Sequence, residues 1–411
     1  MPLARSTPAS RERFTFRGNV ADTRYGWLRL TPAYSVQLVR ELLDSRRPTG
    51  RVLDPFCGTG TTLLACRELS LDCDTVDLNP FLLWLTRAKT RDYAERDRQA
   101  ARRAVAAMAT AATQRGGPTP WIPDLYRIDR WWTPATCRAL GRALARLHRA
   151  RTLTPAARDL ALLAFSRTLI ETAQVSFGHQ SMSFRRHGRT APRRSGGRAV
   201  AAGLQRAIGS IAAAAEQRLP RTRRRIVRGD SRGLHQLLGQ RRYAAVITSP
   251  PYSNRMSYIR ELRPYMYWLG YLTDRRSAGE LDWSVIGGTW GVATSRLLDW
   301  KPARALHIPY DGFDELVAAI ATRSEVLARY VARYFHDMAL HLGGLHGIVA
   351  PGGHAYYVIG NSKFYDVVLP AEEIFRALFT DAGFVDTQVQ VLRKRTSKAE
   401  LFEYLVSATR P

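Results

Sequence analysis

Arg51-Val52-Leu53-Asp54-Pro55-Phe56-Cys57-Gly58-Thr59-Gly60-Thr61-Thr62 decides how this chain folds. Arg51 to Phe56 reads as a short apolar strand. Gly58 and Gly60 then make a tight turn, because glycine takes left-handed backbone at little steric cost. A helix runs on through Thr62 to Leu69. Cys73 to Leu78 reads as a second strand, and Asn79-Pro80 opens another helix, where an early proline is tolerated. Strand, turn, helix, strand and helix between residues 51 and 90 are the opening of an α/β fold with a doubly wound, Rossmann-like sheet.

Outward from this stretch the chain changes character twice. Residues 91–220 are rich in Ala and Arg with helical periodicity, and predict helices at 91–114, 134–150, 155–176 and 198–218. This is a large helical, basic insertion. Between its last two helices, Gly178 to Gly197 holds Arg185, Arg186, Arg189, Arg193 and Arg194 without an acidic residue, the composition of a basic loop. Strand signals return at Arg225 to Arg228 and Tyr243 to Thr248. A helix follows near Ser257 to Tyr271, residues 273–310 read as irregular, and Asp314 to Leu342 reads as one helix. Pro351-Gly352-Gly353 reads as a turn into a strand ending at Ile359, followed by a helix at Ala371 to Ala382. Phe384 to Leu392 and Leu401 to Ala408 read as a closing pair of strands joined by a basic link, Arg393 to Lys398. The organisation expected is a cofactor-binding half at 1–90, the insertion at 91–220 and a second half at 221–411.

The chain has 411 residues and a formal net charge of +27. Such a balance suits a polyanionic partner. Five of the 62 basic residues are lysines, so a compositional bias towards arginine contributes, but it does not account for only 35 acidic residues. The four cysteines, Cys57, Cys66, Cys73 and Cys137, lack zinc-site spacing and do not make a disulfide framework. No metal is expected: His179 and His187 in the basic loop have no partners at ligand spacing. Residues 1–13 lack the apolar core of a signal peptide, and no apolar run reaches membrane-spanning length. A soluble protein of the cytoplasm, associated with the nucleoid and not with membrane, is expected.

A glycine turn after a strand suggests a nucleotide-like ligand, and three readings compete. A P-loop needs a lysine after its last glycine, and Gly60 is followed by Thr61. A dinucleotide fingerprint needs a third glycine, and position 63 is leucine. S-adenosyl-L-methionine carries no phosphate. It needs room beside the turn and an acid at the end of the next strand for its ribose, and Asp77 stands there. The bland alternative is a tight turn with no ligand.

The second motif is Thr248-Ser249-Pro250-Pro251-Tyr252, at the end of an apolar strand. Ligand sites of such sheets gather at C-terminal strand ends. Two prolines fix the backbone and remove two N–H donors, leaving carbonyl oxygens, a hydroxyl before them and an aromatic ring after. This suits an exocyclic amino group of a nucleobase. Its N–H groups would donate to the Ser249 hydroxyl and the Pro250 carbonyl, and Tyr252 would stack on a base rotated out of its helix. A plain Pro-Pro turn is the bland alternative. Methylation of a ring carbon would need a cysteine nucleophile, usually after proline, and none of the four follows one.

With both motifs in view, the chain resembles the amino-group DNA methyltransferases, in their cytosine-N4 branch. The resemblance implies that Phe56 to Gly60 binds S-adenosyl-L-methionine together with Asp54, Pro55, Cys57, Thr61, Thr62, Asp77, Leu78, Asn79 and Thr248. Ser249 to Tyr252 matches the family's catalytic tetrapeptide, in the serine form of the cytosine-N4 type. More loosely, Pro32 with the helix Ser35 to Leu43 resembles the segment beside the cofactor. Asp230 resembles the acid that reaches the adenine amino group, and the two final strands resemble the closing antiparallel hairpin. These matches cover about half the chain.

The function so implied is transfer of a methyl group to the 4-amino group of cytosine in DNA. Adenine-N6 methylation of DNA and amino-group methylation of an RNA base stay open. So does a silent, basic DNA-binding subunit, against which the intact Gly58, Gly60, Asp77 and Ser249 argue. DNA contacts are expected from Arg185, Arg186, Arg189, Arg255 and Arg260, with the insertion, residues 273–310 or both as the target-recognition segment. Trp131, Trp132, Trp283 and Trp290 read either as core or as stacking groups. A restriction endonuclease or another defence protein is a candidate partner.

Overall fold

The computed structural model describes residues 19, 23–28, 30, 34–176, 183–184, 195–289, 292–302, 307–395 and 400–411. Helix α1 (Val36–Arg46) leads into β1 (Val52–Asp54), α2 (Thr61–Glu68), β2 (Cys73–Asp77) and α3 (Pro80–Lys89). Then come α4 (Glu95–Thr113), α5 (Pro134–Arg149), α6 (Pro155–Glu171), the short strands β3 (Val175–Ser176) and β4 (Ser183–Phe184), and α7 (Gly196–Ala214). The chain continues through β5 (Arg224–Arg228), α8 (Leu234–Leu238), β6 (Tyr243–Thr248), α9 (Tyr258–Trp268), α10 (Arg275–Ser284), α11 (Val292–Asp299), α12 (Phe313–Ala321) and α13 (Glu325–His346). It closes with β7 (Val349–Gly360), β8 (Ser362–Phe364), β9 (Val367–Leu369), α14 (Ala371–Asp381), β10 (Val385–Lys394) and β11 (Phe402–Thr409).

One seven-stranded sheet has the order β10-β11-β7-β6-β1-β2-β5. Strands β7, β6, β1, β2 and β5 are parallel, and β11 runs against both its neighbours. The α/β class and the closing antiparallel hairpin are therefore as the sequence predicts. Parallel strands need cover on both faces, and alternate residues supply it. Val52, Ala245, Ile247, Tyr356 and Val358 pack with Leu38, Val39 and Leu42 of α1 and Leu63 of α2. Leu53, Val246, Ala355, Tyr357 and Ile359 pack in a second core with Tyr334, Phe335, Met338 and Leu342 of α13.

The order of the strands places the site. The chain winds outward through β1, β2 and β5, then returns to the other side of β1 with β6. Between β1 and β6 the winding reverses, and a crevice opens beyond the C-terminal ends of strands at such a point. Asp54 ends β1 and Thr248 ends β6.

Helices α4 to α7 build a third core with Met108, Leu140, Leu160, Phe165 and Leu204, shared with Phe81 of α3 and Met266 and Trp268 of α9. Thr133 and Thr154 cap α5 and α6, each followed by a proline in the first turn, a strong start signal. Arg185, Arg186, Arg189, Arg193 and Arg194 of the basic loop lie outside the described residues, as do Pro32, His179, His187 and Trp290.

Three local expectations are corrected. Residues 314–342 form two helices, because Ser324 starts α13 afresh by accepting from the Leu327 N–H. Residues 273–310 are not wholly irregular: a capping box of Asp274 and Ser277 starts α10, and α11 follows. Pro351-Gly352-Gly353 lies within β7 instead of turning into it. Gly352, with φ of 70°, donates to the Arg410 carbonyl, and the register against β6 slips there. A glycine with positive φ lets a strand bulge without leaving its sheet.

Candidate active site

The two sequence motifs meet directly. Thr248 Oγ1 donates to Asp54 Oδ1 at 2.6 Å, a buried bond between residues 194 apart in the chain. The Phe56 N–H donates to the same oxygen at 3.2 Å. Asp54 Oδ2 is buried, and among the described residues it accepts no hydrogen bond of ordinary geometry, although the Thr62 side chain also favours the charged carboxyl. Burial pushes the Asp54 carboxyl up to about 6, against the pull of Thr248 and Phe56 towards the charged form.

The glycines of the turn do different work. Gly60, with φ of 76°, begins α2, and a Cβ there would sit 2.6 Å from Thr86 Oγ1. Close helix packing demands glycine at this position. Gly58, with φ of 49°, would put a Cβ no closer than 3.7 Å to the Phe56 carbonyl. The space beside the Gly58 backbone is open. Its N–H donates to Asp77 Oδ2 at 2.9 Å, while the Asn79 N–H donates to Asp77 Oδ1 at 2.8 Å. Each Asp77 oxygen keeps a lone pair for a further donor, which suits the two hydroxyls of a ribose. Desolvation raises the Asp77 carboxyl to about 6.

These residues fit S-adenosyl-L-methionine. The charge of the Asp54 carboxyl suits an ammonium, Asp77 suits a ribose diol, and the room beside Gly58 admits the body of the ligand. Other expected cofactor residues have structural partners. Cys57 Sγ lies 3.0 Å from Thr86 Oγ1, and burial pushes its thiol up, so it is no nucleophile. Thr61 Oγ1 contacts Thr59 Oγ1 at 3.1 Å, and Thr62 Oγ1 donates to the Ile247 carbonyl at 3.2 Å. Asn79 caps α3 through the Phe81 N–H. Asp230 is paired with Arg232, whose guanidinium also reaches Asp337 and the Ser284 carbonyl. Beneath the turn, fully buried Lys89 donates to the carbonyls of Thr59 at 3.1 Å and Tyr25 at 3.3 Å. Burial lowers its ammonium to about 7.

Ser249 Oγ donates to the Val358 carbonyl at 3.0 Å. With its proton committed, the hydroxyl oxygen is left as an acceptor. The Pro251 carbonyl accepts from Tyr334 at 2.6 Å, and among the described residues the Pro250 carbonyl has no donor. Tyr330 holds the next turn, its hydroxyl accepting from the Arg255 N–H at 3.1 Å. Tyr330 and Tyr334 stand one helical turn apart on α13, a spacing visible in the sequence but not singled out from it. Tyr252 donates to Glu403 Oε1 at 3.0 Å, and the Arg395 guanidinium lies 5.2 Å from its ring centre. Sequence reasoning missed Glu403 and Arg395, because the antiparallel pairing that brings them here joins distant segments.

Arg255 and Arg260 are exposed just beyond the tetrapeptide, and Arg255 has a left-handed φ of 60°. Trp131 and Trp132 are buried, with the Trp132 indole donating to the Leu169 carbonyl. Trp283 packs under Arg333 at 3.7 Å. Among the described residues no helix is long and apolar enough to cross a membrane.

No protein-family model matches the chain. A solved rRNA methyltransferase, AviRa from Streptomyces viridochromogenes, aligns with a TM-score of 0.27 and 13% identity over 96% of each chain, too loose a likeness to carry an argument. The type II methyltransferase M.AvaI of Nostoc sp. is 34% identical over 73 residues, 17% of this chain and 15% of that protein. Its namesake from Anabaena variabilis matches to the same extent. The type II methyltransferase M.SmaI of Serratia marcescens is 50% identical over 38 residues, 9% of this chain and 13% of that protein. The matches thus span less than a sixth of these relatives' length. Over those short stretches, and distantly, this chain is similar to type II methyltransferases.

Proposed function

We propose that this protein transfers a methyl group from S-adenosyl-L-methionine to the exocyclic 4-amino group of cytosine in DNA. The observation that carries the reading is the Thr248–Asp54 bond, which joins a cofactor turn to an acceptor-lined tetrapeptide across the switch point of the sheet. Bound cofactor supplies an electrophilic sulfonium methyl. Asp54 and Asp77 hold its two ends. Ser249 Oγ and the Pro250 carbonyl accept from the two N–H groups of the target amine. This draws the nitrogen out of conjugation with its ring and aims its lone pair, and such positioning carries most of the rate enhancement. Tyr252 provides a stacking surface for the extruded base.

The serine that leads the tetrapeptide favours cytosine over adenine, through the resemblance to the cytosine-N4 branch. The net charge of +27, with Arg255 and Arg260 exposed beside the site, supports a nucleic-acid substrate. The partial similarity to type II methyltransferases favours DNA and a restriction–modification setting with a nuclease partner. The helical segment 91–220 and residues 273–310 remain the proposed places where sequence is read.

The test is incubation with unmethylated DNA, digestion to nucleosides and mass spectrometry. N4-methylcytosine is the expected product. N6-methyladenine alone would move the target to adenine, and methyl found only in tRNA or rRNA would move it to RNA. Ser249→Ala should lower turnover while cofactor affinity holds; full activity in that variant would refute the role given to Ser249.

A further inference from the structure

The closing hairpin reaches into the tetrapeptide. Glu403, at the start of β11, is 8% exposed. One of its oxygens accepts from the Tyr252 hydroxyl at 3.0 Å, and the other accepts from Arg393 Nε at 2.7 Å. Its neighbour across the sheet is Gly360 of β7. A Cβ at Gly360 would lie 3.0 Å from Tyr252 Cδ2 and Cε2 and 2.7 Å from an Arg395 guanidinium nitrogen. Ring and guanidinium are thus both laid against one stretch of bare backbone. Arg395 is held there: its side chain donates to the Asn361 carbonyl at 2.8 Å and its N–H to the Leu401 carbonyl at 2.8 Å. Asn361 in turn binds the Glu400 carbonyl and the Phe402 N–H.

A phenol tied at its oxygen cannot swing, and a guanidinium over one face of a ring excludes another planar group from that face. We propose that Glu403 and Arg395 position the target base through Tyr252: Glu403 fixes the plane of the ring, and Arg395 closes one face so that the base stacks on the other. The proposal rests on the methyltransferase reading above, and it adds two positioning residues from a segment that neither motif contains.

The test uses the full chain, unmethylated genomic DNA and tritiated S-adenosyl-L-methionine, with cofactor affinity measured by calorimetry for every variant. Tyr252→Phe and Glu403→Leu should each lower kcat on the order of tenfold with cofactor affinity unchanged, as expected for a misplaced reactant. The double variant should be no slower than the slower single one, because both remove the same restraint. Glu403→Gln keeps an acceptor for the phenol and should stay within about threefold of wild type; it also serves if Glu403→Leu does not fold. Arg395→Ala should lower kcat and leave the salt dependence of KM for DNA unaltered. Losses that multiply in the double variant, a Glu403→Gln as slow as Glu403→Leu, or wild-type kcat in the single variants would overturn the proposal. So would an Arg395→Ala effect confined to KM with a salt slope reduced by about one, the signature of a phosphate contact. If the wild-type protein transfers no methyl group, the methyltransferase reading fails and takes this proposal with it. Wild-type transfer with unaffected variants sinks this proposal alone.

Discussion

Replacing Thr248 by valine keeps the shape of the side chain and deletes the donor to Asp54 Oδ1. A hydrogen bond to an ionised group contributes about 1.5–3 kcal/mol and one to a neutral group about 1 kcal/mol. The difference is close to the 1.36 kcal/mol that corresponds to one pKa unit. The Asp54 carboxyl, already at about 6 through burial, should therefore rise to roughly 7 in Thr248→Val. At pH 6 its ionised share would fall from about half to roughly a tenth, and at pH 8.5 it would be almost fully ionised in both proteins. If Asp54 Oδ2 receives the ammonium of the cofactor, affinity should fall about fivefold at pH 6 and hardly at all at pH 8.5. Calorimetric titration with S-adenosylhomocysteine from pH 5.5 to 8.5 measures the ratio of variant to wild type, in which ionisation of the ligand cancels. A ratio that is flat across pH would refute the role given to the Asp54 charge, and an unchanged affinity at pH 6 would refute the whole chain of reasoning.

Gly60→Ala should cost about 2–4 kcal/mol of folding stability, adding left-handed strain to a collision with Thr86, as read by urea denaturation. Lys89 titrates lower in the folded protein, at about 7, than in the unfolded chain, at 10.5. The unfolded chain thus holds more protons between those values, and Lys89 makes stability rise with pH through that window; Lys89→Met should flatten the rise in denaturation measured from pH 7 to 9. Arg255→Gly should relieve roughly 1 kcal/mol of backbone strain yet weaken DNA binding, with a salt slope lower by about one if Arg255 meets a phosphate.

The fold was legible where local chemistry sets structure. The turn at Gly58 and Gly60, the proline-led helices after Asn79, Thr133 and Thr154, and strand β6 lie where periodicity and capping place them. The break at Ser324 and the box at Asp274 were not, because a single side chain capping a helix changes no periodic pattern. In the sequence, the bulge at Gly352 has the signature of a turn, because glycine with positive φ serves both. In the site, Asp54, Asp77 and Ser249 were visible as motif residues, and the room beside Gly58 follows from its lack of a side chain. Lys89, Tyr334 and Glu403 were not visible, since each reaches its partner through packing of segments far apart in sequence.

The interior position of β1, between β6 and β2, also governs the order in which the protein can assemble. One neighbour, β2, follows within a few tens of residues, but the other, β6, is not synthesised until the ribosome has passed the whole of α4 to α7. Until then one edge of β1 is an open row of backbone donors and acceptors in the middle of the future sheet. Contacts so distant in sequence form slowly, so the nascent chain must carry that edge while the helical segment emerges. The helices packed against Phe81 and Leu85 of α3 then have a second use: they let the early half of the chain bury much of its apolar surface before β6 is made, in a core that Met266 and Trp268 of α9 complete afterwards.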